Sequence, residues 1–84
     1  MQTQIEKFIV AFDKSFKRAI ESRENIDPDG AVNWNFVDAD VYMDMCDAFG
    51  DLNKNKALHD LFYEEFDWAV SEEIECSMGV KQNV

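Results

Sequence analysis

An apolar repeat in the first quarter of the chain constrains the fold more than any other feature. Between residues 5 and 20, apolar side chains recur at steps of three and four residues. At about 100° per residue, this spacing predicts a helix from about Thr3 to Arg23 with one apolar face. The residues of that face are Ile5, Phe8, Ile9, Phe12, Phe16, Ala19 and Ile20.

The stretch from Ile26 to Gly30 interrupts this pattern. It contains Pro28, which cannot continue a helix, and Gly30, which permits a positive φ, so a tight turn is predicted there. An extended segment at about 31–37 is predicted next, because the apolar residues alternate with Asn33 and Asn35. The alternating apolar residues are Val32, Trp34 and Phe36. Since no second convincing strand follows, we expect either a packed loop or pairing across a dimer.

Two further helices are predicted in the second half of the chain. Asp38 can cap a helix from about Ala39 to Phe49 or Leu52, with Gly50 weakening its end. A third helix is predicted over about residues 56–76, and residues 77–84 lack periodicity, so we expect a frayed tail. Three helices with short connections predict a mainly α fold, a small three-helix bundle with the extended segment between helices 1 and 2.

The length of 84 residues allows one hydrophobic core and predicts a single domain over residues 1–84. Such a small core can leave an apolar face for a second copy, so a homodimer is one expectation. There is no long apolar run and no signal-peptide pattern at the N-terminus, and we therefore expect a soluble cytoplasmic protein without membrane contact.

Charge is strongly asymmetric along the chain, whose net charge is −10. Residues 1–23 hold five basic and three acidic residues, whereas the later residues hold fifteen acidic and three basic ones. This balance argues against direct binding to nucleic acid and favours a basic partner protein. The basic residues Lys7, Lys14 and Arg18 share one side of the first helix, as a solvated face or as internal partners for acidic helices.

Carboxylates at helical spacing form two predicted acidic ridges. The first consists of Asp40, Asp44, Asp47 and Asp51, which lie within about 60° of arc on an ideal helix. The second consists of Asp60, Glu64 and Asp67, with Glu75 on the same side. Like charges three or four residues apart cost about 0.2–0.5 kcal/mol per pair, so the ridges oppose the helices that display them. We therefore interpret them as candidate partner-binding surfaces.

Three aromatic residues have two possible roles. Trp34, Phe36 and Trp68 are expected to anchor the core, but any of them exposed beside an acidic ridge would indicate a contact hot spot. The candidate partner-binding residues are therefore Trp34 and Phe36 together with seven ridge residues: Asp40, Asp44, Asp47, Asp51, Asp60, Glu64 and Asp67.

Other site chemistry is weakly supported. Asn25, Asp27 and Asp29 match part of an EF-hand loop, but Phe36 stands where the bidentate glutamate belongs, so no specific calcium site is expected. Neither cysteine belongs to a CxxC motif, and no catalytic constellation or phosphate-binding glycine loop can be assigned. We expect no cofactor, no metal and no enzymatic activity.

In size, charge and helical ridges, the chain resembles small acidic inhibitors made by phages and mobile elements, although no motif carries this likeness. Successive carboxylates along each ridge rise about 4.5–6 Å, which is loosely comparable to the spacing of phosphates along a DNA strand. We therefore predict an inhibitor that imitates nucleic acid and blocks a basic, nucleic-acid-handling protein. Two alternatives remain open. One is an interaction or assembly module that uses the Trp34 and Phe36 segment, and the other is a weak divalent-cation binder.

Overall fold

The protein is mainly α-helical, as predicted, and the part of the chain that the structure describes contains three α-helices. The computed structural model describes the backbone of residues 3–78 and the side chains of residues 3–75. The helices are α1 (Gln4–Glu21), α2 (Trp34–Phe49) and α3 (Lys56–Met78), with short 3-10 helices at Arg23–Asn25 and Leu52–Lys54. α3 includes residues 77 and 78 of the predicted frayed tail, and the remainder of that tail lies outside the described residues.

α1 begins with a capping box. The Thr3 hydroxyl accepts a hydrogen bond from the Glu6 backbone N–H at 3.1 Å, and the Glu6 carboxylate accepts one from the Thr3 N–H at 2.8 Å. Together they satisfy two N–H groups that the helix start leaves without backbone partners. At the other end, the buried Asn25 side chain donates to the Ala19 carbonyl at 2.9 Å. This bond fixes how the chain leaves α1.

The predicted turn is confirmed, and a backbone bridge joins its two sides. Gly30 has φ of +91°, a conformation that glycine adopts without the steric cost other residues pay. Ile26 and Val32 form an isolated antiparallel bridge across the turn. Val32 therefore has its backbone partner within the same chain, and the bridge does not require a second copy.

The extended segment predicted for residues 31–37 is wrong from Trp34 onward, because α2 starts there. The Asn33 side chain accepts hydrogen bonds from the N–H groups of Asn35 and Phe36 and caps the helix. Asp38, the predicted cap, lies in the second turn of α2. Alternation between Val32 and Phe36 imitated a strand, whereas an Asn placed directly before Trp34 supplies a strong helix start.

α2 ends at Phe49, one of the two predicted ends, and is capped by Gly50, whose φ is +90°. Leu52, which was expected to extend the inner face of this helix, is fully buried but lies in the following 3-10 helix. The Asn55 side chain then accepts from the Leu58 N–H at 3.2 Å, next to the start of α3. Both predicted connections are therefore short, structured turns.

The core is built mainly from phenylalanine. Phe12 contacts Phe62 edge to face at a centroid separation of 5.6 Å, and Phe16 meets Phe66 at 5.9 Å in the same geometry, which is favourable for aromatic pairs. Most of the predicted inner face of α1 is buried, but Ile5 remains 57% exposed. α1 packs more extensively against α2 than against α3. The side of the core between α1 and α3 is consequently less closely packed than the side between α1 and α2.

Candidate protein-binding surface

The first acidic ridge is partly neutralised by α1. Arg18 forms an ion pair and a hydrogen bond with Asp44, and its guanidinium lies 3.8 Å from an Asp40 oxygen. Ser15, whose residue surface is only 7% exposed, donates its hydroxyl to Asp44 at 2.6 Å. Arg18 is thus an internal partner for an acidic helix, one of the two roles anticipated for the basic residues of α1.

This contact changes the titration of both groups. The hydrogen bond from Ser15, followed by that from Arg18, lowers the pKa of Asp44 below its ordinary value, and burial opposes the shift. Hydrogen bonding to Asp44 raises the pKa of Arg18. Asp40 also accepts a hydrogen bond from the Asn25 side chain at 3.1 Å. Two of the four predicted ridge residues therefore contribute to the contact between α1 and α2.

The other two members of the first ridge differ from each other. Asp47 is exposed on α2 and forms no ion pair with any residue that the structure describes. Asp51 lies beyond the end of α2, and its carboxylate accepts from the Asn53 N–H at 3.0 Å, capping the second 3-10 helix. Asp51 therefore departs from the helical spacing that defined the ridge.

Two exposed apolar residues accompany the acids on the outer face of α2. Phe36 is 55% exposed and Met43 is 67% exposed. On an α-helix, these two residues share an arc of about 60° with Asp40 and Asp47. The outer face of α2 therefore alternates carboxylates with apolar side chains.

The second ridge lies on the outer side of α3, with one of its members paired. Asp60 accepts a hydrogen bond from Lys56 at 2.8 Å, which lowers the pKa of the carboxyl, and burial slightly opposes this. Glu64 and Asp67 are exposed and have no ion-pair partner in the described part of the chain. These two carboxylates and Asp47 are the predicted acidic site residues that form neither an ion pair nor a side-chain hydrogen bond within the described residues.

An additional carboxylate, Asp38, faces α3 from α2. Burial raises its pKa, and the nearby negative charge of Asp67 raises it further. Asp38 also affects Tyr63. Burial raises the pKa of the Tyr63 hydroxyl, and the charge of Asp38 raises it further. From the sequence, Asp38 was predicted only as a helix cap. Its like-charge pair with Asp67 was missed because it arises from tertiary proximity between two helices.

The three singled-out aromatics have different surroundings. Trp34 is half-buried and stacks on Phe16 at a centroid separation of 6.1 Å, so it anchors the core. Trp68 is 63% exposed, like Phe36, and lies among the acids of α3. The condition set for a contact hot spot is therefore met by Phe36 and Trp68. The three-residue and four-residue spacing of Glu65, Trp68 and Glu72 was the signal available in the sequence.

The groups of the partial calcium loop make internal hydrogen bonds. Asp27 accepts from the Asn33 side chain at 3.2 Å, and Asp29 accepts from the Ala31 N–H at 3.0 Å. Within residues 3–78, the structure contains no group of three or more acidic, histidine or cysteine residues placed to hold a metal ion. Cys46 is a half-buried free thiol, and the Cys76 side chain lies outside the described ones.

No helix within residues 3–78 has both the length and the apolar composition needed to cross a bilayer.

Comparisons with protein-family models, curated proteins and solved structures find no match to this chain.

Proposed function

We propose that this protein is a small acidic inhibitor that binds a basic, nucleic-acid-handling protein and blocks its nucleic-acid-binding surface. The observation that supports this proposal is the uncompensated set of outward carboxylates, Asp47, Glu64 and Asp67, on two neighbouring helices. These three carboxylates form no ion pair within the described residues, so they do not stabilise the fold in that way. Exposed carboxylates without an internal cation attract Lys and Arg side chains on a partner.

The charges and the exposed apolar residues have separate roles in the proposed complex. Uncompensated carboxylates accelerate encounter with a basic surface through long-range attraction, and salt screens this attraction over about 10 Å at 0.1 M. Phe36 and Met43, which alternate with acids on α2, lose apolar exposure on contact and slow dissociation. The proposal extends to mimicry of nucleic acid, a phage-type origin and a cytoplasmic location.

Affinity capture with carboxylate variants tests this function. The test protein combines Asp47→Asn, Glu64→Gln and Asp67→Asn, which removes three negative charges. The control combines Glu21→Gln with Glu24→Gln, which removes two negative charges at and just beyond the end of α1. Native protein and control should retain the same basic protein from a host extract, while the triple variant loses it, and the captured protein should no longer bind nucleic acid. Equal capture by all three proteins, or an unchanged nucleic-acid affinity, would refute the inhibitor.

A second candidate is an assembly module that acts through its apolar surface, for example as the homodimer considered above, while its charge only maintains solubility. The exposure of Phe36 and Met43 favours this candidate. Sedimentation across micromolar concentrations distinguishes the two proposals, because an assembly module associates in 0.3 M salt and is disrupted by Phe36→Ser. The inhibitor stays monomeric alone, and its complex weakens as salt rises.

A further inference from the structure

α1 and α3 enclose an apolar groove on the side of the core that α2 does not cover. Its floor includes Ile9 and Ile20 from α1 and Ala69 from α3, and Trp68 forms part of one wall. The groove volume is about 140 Å³. A cavity of about 150 Å³ accommodates a benzene-sized group, so this groove has room for one large apolar side chain.

Two apolar residues that line the groove are themselves exposed. Trp68 is 63% exposed and Ile9 is 37% exposed, although both lie beside the buried phenylalanines of the core. Tryptophan at the centre of a contact is among the residues that contribute most to binding. The exposed ring of Trp68 therefore offers an anchor contact to a partner that covers the groove.

The rim of the groove is acidic. Glu65, Glu72 and Glu73 line it from α3 and form no ion pair with any described residue. The α1 side carries Asp13 and Lys17, which lie 3.8 Å apart and partly neutralise each other. The net charge of the rim is therefore negative, and it complements an apolar partner segment with Lys or Arg at its edges.

The walls of the groove favour a helical occupant over an extended one. Both walls are α-helices, whose interior backbone groups are already hydrogen-bonded within each helix. An extended peptide would find no strand edge to pair with, whereas a helix satisfies its own backbone. From Ile9 to Ile20 the α1 wall is about 16 Å long at 1.5 Å per residue, which matches about three helical turns.

A second copy of this chain fits the groove poorly. Antiparallel pairing of two α3 helices around Trp68 would bring Glu65 of one copy toward Glu72 of the other. Each copy also carries a net charge of −10. Repulsion between like charges opposes this arrangement, whereas a basic helix gains attraction at the same positions.

We propose that the groove between α1 and α3 binds a basic amphipathic helix of a partner protein, with one apolar side chain inserted beside Trp68. The inference rests on the proposed function, because it also takes the partner to be a basic protein, and it names the element that the partner presents. None of Asp47, Glu64 and Asp67 lines the groove, so the two proposals can be tested with different variants.

The test uses synthetic 18-residue peptides of leucine and lysine and the full chain. One peptide has amphipathic helical spacing, and a second has the same composition in scrambled order. The amphipathic peptide should bind with 1:1 stoichiometry by calorimetry and shift the amide NMR signals of Ile9, Ile20 and Ala69. The scrambled peptide should bind at least about tenfold more weakly, since it lacks the apolar face that a helix-binding groove requires.

Matched variants localise the contact. Trp68→Ser should weaken binding of the amphipathic peptide at least about tenfold, while Phe36→Ser, a change at an exposed aromatic outside the groove, should alter it less than about twofold. Glu65→Gln combined with Glu72→Gln should reduce affinity more than Glu64→Gln combined with Asp67→Asn. Circular dichroism checks that each variant retains the native helix content.

Three outcomes would overturn the groove proposal. They are equal binding of both peptides, NMR shifts confined to the outer face of α2, and a concentration-dependent dimer that Trp68→Ser abolishes. Failure of the proposed function is distinguishable, because host capture can fail while the peptide occupies the groove. Conversely, the triple carboxylate variant could lose capture while the native chain fails to bind the amphipathic peptide. That result would refute the groove proposal alone.

Discussion

The two flanks of α2 carry the same residue type in opposite electrostatic surroundings. Toward α1, Asp44 accepts hydrogen bonds from Ser15 and Arg18, and its pKa is lowered. Toward α3, Asp38 is partly buried near Asp67, and its pKa is raised. One aspartate therefore strengthens a helix contact, whereas the other weakens one.

This difference shows which carboxylates are available to a partner. Asp44 is engaged by α1, and binding a partner through it would compete with Arg18. Asp47, Glu64 and Asp67 have no such internal competitor among the described residues. The net charge of the chain predicts a basic partner, but the helix contacts decide which acids contribute least to folding.

The largest expected effect comes from breaking the contact with α1. Asp44→Ala should lower the free energy of unfolding by about 1–2 kcal/mol, because it leaves the buried Ser15 hydroxyl without its acceptor and removes the partner of Arg18. Asp47→Ala, at an exposed position of the same helix, should change it by less than about 0.5 kcal/mol. Urea unfolding at pH 7 measures both. Equal losses would show that the contact between Asp44 and α1 contributes no specific stability.

Acid should reduce the difference between Asp44→Ala and the native chain. The pKa of Asp44 is lowered in the folded protein, so its ionised form contributes stability above the unfolded-chain value of about 3.9. That contribution is lost as the pH falls through the lower folded-state pKa. Urea unfolding at pH 7 and at successively lower pH should show a shrinking difference, and a difference that grows toward acid would contradict the assigned direction.

A smaller effect of opposite sign is expected on the α3 flank. Asp38→Asn should stabilise the protein by about 0.5 kcal/mol at pH 7, since it removes a partly buried charge that faces Asp67. The pKa of Asp38 is raised, so the cost of its charge appears as the pH rises through the folded-state value and is absent below the unfolded-chain value. The gain should therefore vanish in acid. Destabilisation at pH 7 would indicate an unrecognised favourable contact of Asp38.

The smallest effect is expected at the exposed apolar residues. Phe36→Ser and Trp68→Ser should each change the free energy of unfolding by less than about 1 kcal/mol, because most of each side chain is already in water. Thermal and urea unfolding of the two variants check this expectation. A loss of several kcal/mol would assign these aromatics to the core and remove them as contact residues.

The helices were predictable from the sequence because their signals are local. Apolar spacing located α1, and Gly50 marked the end of α2. The start of α2 was missed because the alternation from Val32 to Phe36 fits a strand, while the hydrogen bonds that the Asn33 side chain accepts at the helix start favour a helix. Both patterns occupy the same residues, and the capping interaction prevails.

The site was only partly predictable because its electrostatics depend on tertiary contacts. Arg18 and Asp44 are 26 residues apart, so their pairing requires the relative register of α1 and α2. Helical spacing correctly placed Asp47, Glu64 and Asp67 on outward faces. Whether a neighbouring helix supplies a cation is a property of packing, and no single-helix pattern contains it.

Measuring stability and binding on the same proteins tests the central claim most directly. Unfolding free energy and affinity for the captured basic partner would be determined for Asp44→Ala and for the triple variant of Asp47, Glu64 and Asp67. We expect Asp44→Ala to lose stability with little loss of affinity, and the triple variant to lose about tenfold in affinity with its stability retained. The reverse pattern, in which the triple variant unfolds more easily and still binds normally, would contradict the account.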